Sequence, residues 1–316
     1  MTGAPILRSV SLLVMVCLAL ASGCVRLPPT EKTSLSPKTV AELQRYLLAH
    51  KADLELFRLR GPFDVSVQKN HEVRLSATER INTDLFLSAP AEKAPLVIFL
   101  HGYDSSKEAH ANQAIHVASW GMHSLTLQLP NNGPWGTNGR TLARIVSFVH
   151  RSPAVIDSRI DVNKIILVGH SFGGSAVAVA LAEGAPAAGG VLLDPAAIGR
   201  ELPKLLQQIT KPVMVLGADD EVASARNRDY FYRFVRSGIA EVSIRDAAHE
   251  DAQYPSESAL RNFGIDLHTT EALQVTFVSA ITSAAISLSA TGTFDYAWTS
   301  FGAAVEQGTF FNARKK

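Results

Sequence analysis

Gly169-His170-Ser171-Phe172-Gly173 sets a serine between two glycines, at the end of the apolar run Ile165 to Val168 and the start of the small-residue stretch Phe172 to Leu181. The first run reads as a strand buried on both faces and the second as a helix, so Ser171 falls at a strand-to-helix turn. A serine there is held in a strained backbone conformation that lifts its hydroxyl clear of the sheet. Gly169 and Gly173 have no side chains to collide where strand and helix cross. The helix N-terminus offers free N–H groups and a favourable dipole to a developing anion. The chemistry that suits this arrangement is nucleophilic attack on a carbonyl.

A serine hydroxyl needs a base to take its proton, and on this kind of turn the chain order is serine, acid, histidine. Of the ten histidines, His170 diverges from its neighbour at the turn, and His101, His110, His116, His123 and His150 precede the serine. His249, in VSIRDAAHEDAQYP, follows the last candidate strand and is the expected base, whereas His268 lies further on as a surface residue. For the acid, the buried run Val213 to Leu216 leads through Gly217 and Ala218 to Asp219, Asp220 and Glu221, at the strand edge where catalytic groups of open parallel sheets collect. Asp194, in VLLDP, ends an earlier strand and is the alternative.

Short β-rich runs alternate with helical ones from Pro37 onward. Strands are expected over 63–67, 73–77, 83–88, 96–100, 124–129, 164–168, 190–193, 213–216 and 241–245. Helices are expected over 37–56, 107–120, 140–151, 171–183, 202–209 and 224–236. Repeated β-α alternation implies an α/β fold with a doubly wound, mostly parallel sheet in a single domain, 37–316. The uncharged run Ala272 to Phe294 has the length of a membrane span, but its Gln274 and many Ser and Thr residues predict a C-terminal helix packed on the sheet.

From about Phe63 to its end the chain resembles an α/β-hydrolase, a three-layer α-β-α architecture. GHSFGG, LHGY and PVMVLGADD most resemble the branch that holds bacterial cutinases, polyester hydrolases and chlorophyllase-like esterases. The resemblance implies a Ser-His-Asp triad that cleaves carboxylic esters without metal or cofactor. It also implies an oxyanion hole from the backbone N–H groups of Tyr103 and Phe172. Asp220, three residues past Gly217 as the acid is in many of these hydrolases, becomes the expected triad acid. The chain lacks the C-terminal disulfide cysteines of the cutinases. Trp135, in the segment 131–136 after a strand, is expected at the mouth of the site, against substrate or packed on the protein.

The N-terminus reads differently. Val10 to Ala21 is an apolar run too short to span a bilayer, and Ala21-Ser22-Gly23-Cys24 resembles the lipobox of bacterial lipoproteins. Residues 1–23 are thus expected to be an export signal, Cys24 the lipidated residue, and the Pro-rich polar segment 24–36 a tether. The expected location is the cell envelope, with secretion as the alternative. Cys17 would be lost with the signal, which leaves no disulfide. With 30 basic and 29 acidic residues and no polybasic run, the chain carries no electrostatic footprint for nucleic acid.

The partner expected is a small-molecule or lipid-like ester. A peptidase or thioesterase of the same fold is the second reading, since triad and oxyanion hole are shared. A non-catalytic binding module on a lipoprotein is the third.

Overall fold

Alternation within the apolar runs decides which way each side chain faces. In β3 (Ala94–Leu100), Leu96, Ile98 and Leu100 join one apolar cluster while Val97 and Phe99 join another. In β5 (Ile160–His170), Ile165 and Leu167 divide from Ile166 and Val168 in the same way. Strands that are apolar on both sides need helices on both sides. The computed structural model describes residues 31–130, 135–197, 199–219, 225–255 and 269–316 and has this three-layer form.

The remaining strands are β1 (Val65–Arg74), β2 (Arg80–Ser88), β4 (His123–Leu127), β6 (Gly189–Leu193), β7 (Val213–Gly217), β8 (Ile239–Ile244) and β9 (Phe310–Lys315). They form one sheet in the order β1-β2-β4-β3-β5-β6-β7-β8-β9. The run from β4 to β8 is parallel, and β1, β2 and β9 pair antiparallel at the edges. One face is covered by α3 (Trp135–Arg151), α4 (Phe172–Ala182), α5 (Leu202–Leu206) and α6 (Ala225–Phe234). The other carries α1 (Val40–His50), α2 (Ala111–Ser119), α7 (Glu271–Thr291), α8 (Asp295–Ser300) and α9 (Gly302–Glu306). From β3 the chain crosses through α2 to β4 on one side, then through α3 to β5 on the other. That reversal opens a crevice at the C-terminal ends of β3 and β5.

Helix α7 is the one helix among the described residues long and apolar enough to cross a membrane. It lies in the core, buried from Gln274 to Ser289. Its hydroxyls bond back one turn, Thr276 to the Ala272 carbonyl, Ser279 to Val275 and Thr282 to Val278, each at 2.8–2.9 Å, so no polar atom is stranded by their burial.

Three expectations are corrected. The separate strands over 63–67 and 73–77 are one strand, β1, joined through a bulge between Gln68 and His71 where Asn70 takes a left-handed φ of 55°. The helix over 37–56 ends at His50, where Lys51 turns left-handed (φ 46°), and a separate 3-10 turn (Leu54–Arg58) capped by Asp53 follows. Strand β9 was not expected, because FFNARK lacks a clear apolar alternation; it is fixed instead by pairing with β8.

Residues 31–33, expected in the tether, dock on the domain: the Thr33 N–H donates to the Arg60 carbonyl (2.8 Å) and the Arg60 N–H to the Glu31 carbonyl (3.0 Å). Beside them the Phe63 N–H donates to the Ser119 carbonyl (3.0 Å), at the end of α2. Since α2 leads directly into β4, this contact lies at the N-terminal edge of the parallel strands, opposite the crevice.

Candidate active site

Ser171 joins β5 to α4 with φ 54° and ψ −122°, a conformation an L-residue adopts only under strain. Its backbone is clamped to hold it there. The Ser171 N–H donates to the Leu193 carbonyl (3.0 Å), while its carbonyl accepts from Gly174 and Ala196 N–H groups, both at 3.0 Å. A Cβ on Gly169 would stand 2.4 Å from the Gly173 carbonyl oxygen, so that glycine lets α4 cross β5. Gly173 serves a different neighbour than expected: its Cβ would stand 2.4 Å from the His101 carbonyl oxygen, beyond the end of β3.

That close approach brings the His101-Gly102-Tyr103 loop to the serine. A Cβ on Gly102 would meet the Ser171 Cβ at 3.0 Å and His170 Nδ1 at 3.2 Å. His101 is fully buried, and burial first of all lowers its pKa, so the ring is neutral. The Leu129 N–H donates to its Nε2 (3.2 Å), which leaves the proton on Nδ1 to donate to the Gly102 carbonyl (2.8 Å). In a trans peptide the N–H points opposite to the C=O, so pinning the Gly102 carbonyl aims the Tyr103 N–H away from His101. Phe172 begins α4, and an N–H in that position has no partner within its own helix.

His249 opens a short 3-10 turn (His249–Ala252) after β8. Its Nδ1 lies 2.5 Å from Asp194 Oδ2, so Nδ1 carries a proton and Nε2 is left basic. Asp194 directly follows β6, is completely buried, and accepts the Ala218 N–H (3.0 Å) and Arg228 Nη1 (3.4 Å) on its other oxygen. The base loop is tied down independently. Asp251 accepts the Ala248 N–H and the Thr270 N–H (both 2.9 Å), Gln113 donates to the Ala252 carbonyl (2.9 Å), and Ser105 donates to Gln253 (2.9 Å).

The expected site residues thus fall as follows. Ser171, Phe172 and Tyr103 come together at the crevice, with the Tyr103 and Phe172 rings edge-to-face at 5.9 Å. Among the described residues the carboxylate on His249 is that of Asp194, the alternative; the expected acid Asp220 lies outside the described residues, as does Cys24. Asp219 is turned to a structural task and accepts the Asp246 N–H (2.9 Å). Trp135, expected in a loop, stands instead in the first turn of α3, and of its two expected placements it takes the one packed on the protein. It is only 4% exposed there, edge-on to His101 (5.8 Å) and Phe172 (6.0 Å), a support beneath the site.

Sequence reasoning missed Arg228. Its guanidinium is buried against Asp194 and donates to the Ala218 carbonyl. Gly217 makes room for it, since a Cβ there would fall 2.2 Å from the Arg228 Cδ. An arginine in a polar helix carries no sequence mark of burial, but a glycine ending an unbroken strand does signal a close approach. Among the described residues no three His, Cys, Asp or Glu side chains cluster as metal ligands would.

No curated protein matches the chain. The family model for the alpha/beta hydrolase family matches residues 97–302, from β3 through the crevice, Ser171, Asp194 and His249 to the start of α9, and the chain belongs to that family.

Proposed function

We propose that the protein is a serine hydrolase of carboxylic esters with Ser171 as nucleophile, His249 as base and Asp194 as acid. The observation that carries this reading is the buried Asp194 carboxylate on His249 Nδ1, in a fold where Ser171 sits strained at the head of α4. Ser171 Oγ attacks the ester carbonyl as His249 Nε2 takes its proton. Asp194 holds the tautomer and stabilises the imidazolium that results. The oxyanion is met by the Tyr103 and Phe172 N–H groups, each worth about 3–4 kcal/mol by analogy with donors removed elsewhere. Collapse breaks the bond to the alcohol, which leaves with the proton from His249. Water, deprotonated by the same nitrogen, then releases the acid from Ser171. An acid on β6 argues against a close cutinase relative and for a branch that draws its acid from the earlier strand.

The test is a fluorophosphonate label followed by p-nitrophenyl esters of increasing acyl length and their amide counterparts. Label on Ser171 with ester turnover supports the proposal. Preference for amides makes the protein a peptidase, and absence of labelling makes it a binding module.

Ala21-Ser22-Gly23-Cys24 supports a lipid anchor on Cys24 and a place in the cell envelope. Acyl mass on Cys24 at the mature N-terminus is the expected result. Cleavage elsewhere without that mass would mean secretion.

A further inference from the structure

His170 precedes the nucleophile, and its side chain is buried, only 2% exposed. There it lies between the two loops that flank Ser171. On one side its Nδ1 would be 3.2 Å from a Cβ on Gly102 of the oxyanion loop. On the other its Nε2 is 3.0 Å from the His249 carbonyl oxygen, and its ring lies 4.4 Å from the His249 ring, tilted by 42°. A carbonyl can only accept, so Nε2 must carry the proton, and His170 is a neutral donor with a fixed tautomer. Burial first, then the charges of His249 and His110, hold its pKa well below the ordinary histidine value, in keeping with a ring that stays neutral. The side bonds that tie the base loop reach Ala248 and Gln253 and Ala252, on either side of His249; the bond from His170 reaches His249 itself.

We propose that His170 is a positioning residue for the base: its Nε2–H holds the backbone of His249 at the distance from Ser171 that proton transfer requires. This rests on the reading of Ser171 and His249 as nucleophile and base. An error of an ångström in such a placement costs up to about a hundredfold in rate, with little effect on binding.

The experiment uses the full chain and p-nitrophenyl butyrate, with His170→Gln, His170→Asn and His170→Phe read for kcat, KM, fluorophosphonate labelling rate and melting temperature. Gln carries its amide nitrogen at the same remove from the backbone as Nε2, Asn falls one atom short, and Phe keeps the ring without a donor. His170→Gln is expected within about threefold of wild-type kcat, while Asn and Phe lose about tenfold to a hundredfold in kcat and labelling rate with KM within about threefold. Should Phe fail to fold, the Gln and Asn pair carries the comparison. Wild-type kcat in Asn or Phe, or equal loss in Gln and Asn, overturns the proposal. Ser171→Ala and His249→Ala, run alongside, separate the two readings. If both lose turnover and the His170 series is flat, only the positioning role falls; if either keeps it, the triad falls and takes this role with it.

Discussion

Asp194→Asn isolates the acid with least disturbance to the fold. The asparagine keeps the shape and one acceptor, so the Ala218 N–H at 3.0 Å and Arg228 at 3.4 Å still find an oxygen. What changes is the group 2.5 Å from His249 Nδ1, where an amide N–H in place of Oδ2 forces the imidazole to carry its proton on Nε2. The ring then cannot accept from Ser171. In a serine protease triad this exchange cost about ten-thousandfold in kcat, which corresponds to about 5 kcal/mol of transition-state stabilisation. Arg228 keeps its charge beside a neutral partner, a loss of about 1.5–3 kcal/mol for a charged hydrogen bond. In a domain of this size that lowers the melting temperature by several degrees, so Asp194→Asn is folded at 25 °C. Asp194→Ala is a poorer choice, because removing one partner of a buried pair costs about 3–5 kcal/mol. The assay is kcat on one p-nitrophenyl ester at fixed pH, with circular dichroism as a folding control, for Asp194→Asn, Asp219→Asn, Asp220→Asn and Glu221→Gln. One severe defect is expected, at Asp194. If Asp194→Asn kept a tenth of wild-type kcat while Asp220→Asn lost three powers of ten, the assignment from geometry would be refuted.

Ser171→Gly should abolish turnover and yet raise the melting temperature by about 2–4 °C, since glycine relieves the strain at φ 54° by about 1 kcal/mol after its own entropy cost; a lower melting temperature would contradict a strained turn. On α3 two glycines part company: Gly136→Ala meets nothing within 4 Å and should gain about 0.5–1 kcal/mol, whereas a Cβ on Gly139 would press on the Val179 Cβ at 2.5 Å and should cost about 1–3 kcal/mol. Urea midpoints of the two variants decide this. Stability should also fall steeply on acidification. His110, His116 and His123 are held, chiefly by burial, at a pKa of about 4 against 6.5 for the free side chain. Between these values the unfolded chain binds more protons, so stability is fully present above pH 6.5 and is lost toward pH 4, by about 3 kcal/mol per histidine. A flat urea midpoint between pH 7 and 5 would show that these rings are not buried and neutral.

The pieces set by local sequence are legible in the chain itself. The strand-turn-helix around Ser171 announces itself in four apolar residues, two glycines and a small-residue helix, and His249 follows from chain order. The contact of Asp194 with His249 is less legible, because a single carboxylate after a short strand is outshone by three in a row at 219–221, and its partner lies across space where no spacing encodes it. Arg228 and the part His170 plays beside His249 depend on residues 34 and 79 positions away, contacts that no period or spacing encodes. Trp135 was misread for a related reason. The segment 131–136 reads as a loop with the helix from 140, yet α3 begins at Trp135 and runs through Gly136 and Gly139, where the close approach of Gly139 to Val179 seats it on α4.

The docking of residues 31–33 on Arg60 gives the proposed anchor a direction. Cys24 and Lys32 are eight positions apart, a reach of at most about 28 Å when fully extended. A domain of this length is roughly 45–50 Å across, and the docked segment lies at the opposite edge of the sheet from Ser171. A chain acylated at Cys24 therefore cannot swing its crevice onto the leaflet that holds it. Its esters must arrive through the surrounding water or from a facing surface, and vesicles of lipid esters carrying the anchored protein should stay intact while soluble esters in the same suspension are consumed.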